Sequence, residues 1–167
     1  RAADAILGSL FASAVMDMVG VGVEFISKEI ARPLLLGDLN ISWTHPRCNP
    51  HNERFVRGTP TDDTSQSILI MRSIVDTNTR PYNSPSLIDF EGVKIDPCDF
   101  GRRLVEWMNK GHYEHKHSGG LGIGSTTLKV VENKLFNSDP IAASKDTWIK
   151  SGRKVAPNGS VMRIASS

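Results

Sequence analysis

Two carboxylates stand side by side at Asp62 and Asp63, flanked by Thr61 and Thr64 and preceded by Gly58-Thr59-Pro60. Thr and Asp are preferred caps for a helix N-terminus, and one of them would satisfy the exposed amides there. A second adjacent carboxylate repels the first. A hard divalent cation such as Mg²⁺ removes that repulsion, because it takes carboxylate and hydroxyl oxygens while keeping several waters. Helix cap and cation site both remain open on these residues alone. Upstream, Asp17 lies inside Val15-Met16-Asp17-Met18-Val19. It either faces solvent or, if buried, needs a partner. Glu24 follows Gly20 and Gly22, on backbone able to take unusual angles or approach a ligand closely. A solvated surface glutamate is the plainer alternative.

Two glycine-bearing loops suit anion or hydroxyl recognition. Gly119-Gly120-Leu121-Gly122-Ile123-Gly124-Ser125 precedes a helical pattern, and Pro157-Asn158-Gly159-Ser160-Val161-Met162-Arg163 carries a turn signal. Backbone amides at a helix N-terminus bind phosphate well. Asn-Gly is equally an ordinary turn, Ser160 could cap a helix, and Arg163 could face an anion or solvate a helix face. No P-loop lysine is present and no strand precedes the glycines, so neither a nucleotide triphosphatase nor a dinucleotide fold follows. Two histidine groupings, His112/His115/His117 and His45/Cys48/His51 with Cys98, could ligate zinc. Neither has a standard structural-zinc spacing.

The elements that must carry these residues read as helices. Ile6, Leu7, Leu10, Phe11, Ala14, Val15 and Met18 recur at helical spacing over residues 2–19, and Gly20 and Gly22 end the pattern. The stripe predicts a core helix. A signal peptide is the competing reading, from Arg1 and Ala12-Ser13-Ala14, with Asp4 against it. Residues 32–60 carry Pro33, Pro46, Pro50 and Pro60 without a period and read as a long loop. A helix follows from Thr61, with acidic residues in its first turn, and residues 78–95 read as another loop. Asp96-Pro97 opens a helix that Gly111 ends; Ser125 opens another, and Ser138-Asp139-Pro140 a last one closed by Gly152. Five or six helices and no alternating strand make the class all-α.

Composition narrows the function classes. Lys+Arg 20 against Asp+Glu 18 leaves a net charge of +2, which excludes a strong electrostatic pull toward nucleic acid or an anionic membrane. Two cysteines, Cys48 and Cys98, exclude a disulfide scaffold and suit reduced thiols in the cytoplasm. No stretch is expected to reach the ~20 apolar residues needed to span a bilayer.

In this order the motifs resemble those of the ADP-ribosylglycohydrolase family, which includes the dinitrogenase reductase-activating glycohydrolases. Asp17-x-x-Gly20-x-Gly22-Val23-Glu24-Phe25 is similar to the opening motif, with Met16 where glycine is usual and Gly22 where proline is frequent. Thr61-Asp62-Asp63-Thr64 resembles the family's metal motif. Leu104 to Gly111, Gly122-Ile123-Gly124-Ser125-Thr126-Thr127 and Asn158-Gly159-Ser160-Val161-Met162-Arg163 resemble its later segments. The resemblance implies an orthogonal multi-helical all-α fold and two Mg²⁺ ions in a complete site. It also implies hydrolysis of ADP-ribosyl linkages on proteins or small acceptors.

Carried over by position, Thr61, Asp62 and Asp63 become metal ligands, and Glu24 and Asp63 the catalytic carboxylates. Asp17, Gly122, Gly124, Asn158, Gly159, Ser160 and Met162 become ligand-binding residues. The family's second acidic motif has no counterpart; Asp146-Thr147 lacks its second Asp. Residues 1–167 are therefore expected to be the N-terminal portion of one larger domain. The competing expectation is an inactive member that binds ADP-ribose or serves structurally.

Overall fold

The computed structural model describes residues 2–36, 50–56, 58–81, 83–111 and 119–163. Its Cα framework divides into two compact units, residues 1–64 and 65–167. The boundary falls one turn inside a helix. His112, His115 and His117, and His45 and Cys48 of the second grouping, lie outside the described residues.

The first unit holds α1 (Ala2–Gly20), a 3₁₀ turn at Val21–Val23, α2 (Lys28–Leu36), a second 3₁₀ turn at Asn52–Arg54, and the start of α3 (Asp62–Thr79). α1 forms where the spacing predicts, but its apolar stripe is not buried. Ile6, Leu7, Phe11 and Met16 are all exposed. The expectation that no stretch reaches membrane-spanning length also needs correcting. Ala3–Val23 is 21 residues of helical, apolar chain with mean hydropathy 1.8. Apolar residues all round the helix, rather than on one stripe, give it that length and also leave much of it uncovered here. Length and composition admit a core helix or a signal sequence as readily as a span. α2 occupies part of the expected long loop, despite Pro33 inside it.

The second unit carries the rest of α3, a hairpin of β1 (Ile88–Phe90) and β2 (Val93–Ile95), α4 (Pro97–Lys110), α5 (Ser125–Val131) and α6 (Pro140–Lys150). Its core is Leu69, Leu104, Trp107, Phe136 and Ala143, with Phe100, Val105, Met108 and Ile123 packed against it. α4 begins as its residues dictate: the Asp96 carboxylate accepts from the Cys98 amide at 2.9 Å and Pro97 takes the first position. Asp139 and Pro140 repeat the device for α6, with the Ala142 amide as donor.

The hairpin replaces part of a predicted loop. Its strands pair antiparallel, Ile88 with Ile95 and Phe90 with Val93. Both turn residues have positive φ, 50° at Glu91 and 85° at Gly92, the geometry of a tight primed turn. All six strand residues are exposed, so no in–out alternation marks them. Asn78 and Thr77 of α3 anchor the hairpin through both the amide and carbonyl of Lys94. Six α-helices and one small hairpin among the described residues make the fold all-α in class.

Candidate functional site

In the first unit, α3 begins with its amides already served by another helix. Asp17, in the last turn of α1, reaches Thr61 and Thr64, 44 and 47 residues away in sequence. Its Oδ2 accepts from the amides of Thr61 at 2.9 Å and Thr64 at 3.2 Å, and from the Thr64 hydroxyl at 2.6 Å. Its Oδ1 accepts from the Thr61 hydroxyl at 2.7 Å. The Thr61 Oγ1 in turn accepts from the Asp63 amide at 3.3 Å. Capping, the simpler reading of Thr-Asp-Asp-Thr, is therefore carried out largely by Asp17 and Thr61. Asp17 is half-buried, and its partner is the entry to α3.

Asp62 is buried, at 8% exposure. Loss of hydration pushes its carboxyl up to about 7, and the negative charges of Asp63, Asp17 and Glu24 push the same way. Four carboxylates thus act on one small region. Thr61, Asp62 and Asp63 carry hydroxyl and carboxylate oxygens, the ligand type that a hard divalent cation takes. Among the described residues no three His, Cys, Asp or Glu side chains converge as a ready-made metal cage. Mg²⁺ commonly uses one or two carboxylates and completes its shell with water, so the donors present are compatible with it.

Glu24 closes the 3₁₀ turn that follows α1. Its Oε2 lies 3.1 Å from His51 Nε2. The sequence offered His51 only as a zinc ligand. Twenty-seven residues separate the two, and no spacing rule would have paired them.

In the second unit the glycines divide by purpose. A Cβ on Gly119 would fall closer than 3.0 Å to the backbone of Trp107, Met108 and Gly111. Gly120 and Gly122 have φ of 68° and 90°, which side chains avoid. Gly119, Gly120 and Gly122 therefore have conformational reasons to be glycine. Gly124 does not: its φ is −66° and a Cβ there meets nothing within 4 Å. Asn158–Ser160 form a 3₁₀ turn rather than a capped α-helix. The amides of Val161 and Met162 both return to the Asn158 carbonyl, at 2.8 and 3.1 Å. Arg163 turns inward, donating to the Gln66 side-chain carbonyl, with its guanidinium against Gly159. The Met162 carbonyl accepts from Ser67 at 3.4 Å. These contacts seat the Asn158–Arg163 loop on the second turn of α3.

A family model described as ADP-ribosylglycohydrolase matches residues 1–166. The chain belongs to the ADP-ribosylglycohydrolase family. The search of curated proteins and the search of solved structures each returned no match. Membership of this family accords with the all-α fold and associates the chain with hydrolysis of ADP-ribosyl linkages.

Proposed function

We propose that the protein is a Mg²⁺-dependent hydrolase that releases ADP-ribose from a modified protein or small acceptor. The observation that carries this reading is Asp62, a buried carboxylate raised to about 7 by burial and by Asp63, Asp17 and Glu24. Such a cluster is costly unless a cation compensates it. Thr61, Asp62 and Asp63 would hold that cation. When bound, Mg²⁺ supplies Lewis acidity and lowers the pKa of water.

The chain's own residues then have distinct work. Asp17 fixes the start of α3, so that Asp62 and Asp63 leave a rigid first turn rather than a fraying end. Cleavage of a glycosidic bond passes through an oxocarbenium-like state, which nearby carboxylate charge stabilises. Glu24 and Asp63 are the carboxylates assigned to that task, Glu24 also being able to accept a proton from attacking water. In the second unit, the open backbone at Gly124 and the turn at Asn158, Gly159 and Ser160 offer amides suited to diphosphate or ribose oxygens. Met162 and Gly122 shape the same loops.

The test is ADP-ribose release from an ADP-ribosylated substrate by the protein and by Asp62→Ala, with Mg²⁺ present. The variant should lose at least about 100-fold in kcat/KM. Release unchanged by Asp62→Ala would show that the carboxylate cluster is not the working site. ADP-ribose binding without release by the parent protein would favour a binding role.

A further inference from the structure

We infer that His51 is a positioning residue that holds Glu24 in its working orientation. The inference rests on the reading of Glu24 as a catalytic carboxylate. His51 Nε2 and Glu24 Oε2 are 3.1 Å apart, and an Nε2–H donor exists both in one neutral tautomer and in the imidazolium. The imidazole is itself fixed from two sides. It meets the Phe25 ring edge to face, 4.7 Å between centroids at 90°, and the Phe55 ring at 5.5 Å. Phe55 is buried and gives the stack a firm base.

The backbone beside Glu24 is where such a restraint matters. Phe25 has φ of 58°, a left-handed conformation that a bulky residue rarely adopts. Such strain persists only where surrounding contacts over-determine it, and it gathers at functional sites. The main-chain bonds of this turn are long: Glu24 N to Val21 O and Ile26 N to Val23 O are both 3.4 Å. Phe25 is 77% exposed, so burial contributes little to holding it. His51 contacts both consecutive residues, the carboxylate of Glu24 and the ring of Phe25. It thereby couples the strained backbone to the orientation of the carboxylate.

The experiment compares His51→Ala and His51→Gln, each alone and combined with Glu24→Gln, in ADP-ribose release and in amide hydrogen exchange. His51→Ala should lower kcat about tenfold with KM within about twofold, because misplacement of a reacting group acts on the chemical step. His51→Gln keeps an N–H donor and should recover most of the loss. In the Glu24→Gln background, His51→Ala should add nothing, since its effect runs through the carboxylate. Exchange at the Glu24 and Ile26 amides should quicken in His51→Ala and stay near the parent rate in His51→Gln. An equal loss of kcat in both backgrounds, or an unchanged kcat in an active protein, overturns the inference. If the parent protein releases no ADP-ribose, the hydrolase reading fails, and the exchange rates decide the restraint alone. Unchanged exchange at both amides then overturns it.

Discussion

Replacing Asp62 with asparagine should stabilise the metal-free protein at alkaline pH, an unusual outcome for a buried polar residue. The side chain keeps its shape and loses its charge. A carboxyl raised from 3.8 to about 7 is charged in the unfolded chain throughout the range where the folded protein still prefers it protonated. Between those values the folded state binds more protons, so stability falls as pH rises, and the full cost is present above about pH 7. At about 1.4 kcal/mol per pH unit, the rise corresponds to about 4 kcal/mol, which relaxation and local hydration reduce to about 1–3 kcal/mol. Asp62→Asn should therefore raise the melting temperature by about 3–10 °C at pH 8 with a chelator present. Near pH 4 the two proteins should converge. Adding Mg²⁺ at about 100 times its Kd should stabilise the parent by about 2.7 kcal/mol and the variant far less, closing or reversing the gap. Calorimetric scans at the two pH values, with and without Mg²⁺, read all four states. A variant less stable than the parent at pH 8 without metal would refute the electrostatic reasoning.

Three further outcomes follow from particular contacts. Asp17→Ala removes four hydrogen bonds at the entry to α3 and should cost about 2–4 kcal/mol in urea denaturation, with faster exchange at the Thr64 amide; Asp17→Asn should cost less. Gly119→Ala should destabilise strongly, by about 3 kcal/mol or more, whereas Gly124→Ala should leave the melting temperature within about 2 °C and reduce only ADP-ribose binding by calorimetry. Burial opposes the charge of Asp99, but hydrogen bonds from Arg103, Ser73 and Arg102 outweigh it and hold the carboxyl below 3.8. Its stabilisation is therefore present above the unfolded value and lost as pH falls through the folded one. Asp99→Asn should lower the urea midpoint at pH 7, and the gap should narrow under acid.

What was legible in the sequence was what acts locally. Asp96-Pro97 and Asp139-Pro140 announce helix starts because both the cap and the preset φ reside in adjacent residues. The hairpin is not legible because three-residue strands exposed on both faces leave no alternation to read. α2 is not legible because Pro33, inside it, is a helix-breaking signal. For α1 the helix was legible and its burial was not: periodicity says which residues share a face, not what covers them. At the site, the residue types at Thr61, Asp62 and Asp63 suggested cation chemistry, and the need of Asp17 for a partner was plain. Which partner it takes, and the pairing of His51 with Glu24, depend on contacts across 27 to 47 residues that no local rule encodes.

Asp17 also bears on why the start of α3 is so acidic. Thr61 and Thr64 hydroxyls, or a single serine, could have capped this helix without any charge. Instead a carboxylate from α1 takes the amides, and two more follow within the first turn. The helix N-terminus carries only about half a positive charge to set against them. Burial does most to lift Asp62 to about 7, and each added carboxylate raises the cost of ionising it further. A sequence selected for stability alone would shed that charge with one substitution to Asn or Ser. Its concentration on a turn held by four hydrogen bonds to Asp17 is what the proposed cation site would require, and the stability difference of Asp62→Asn measures directly what that charge costs.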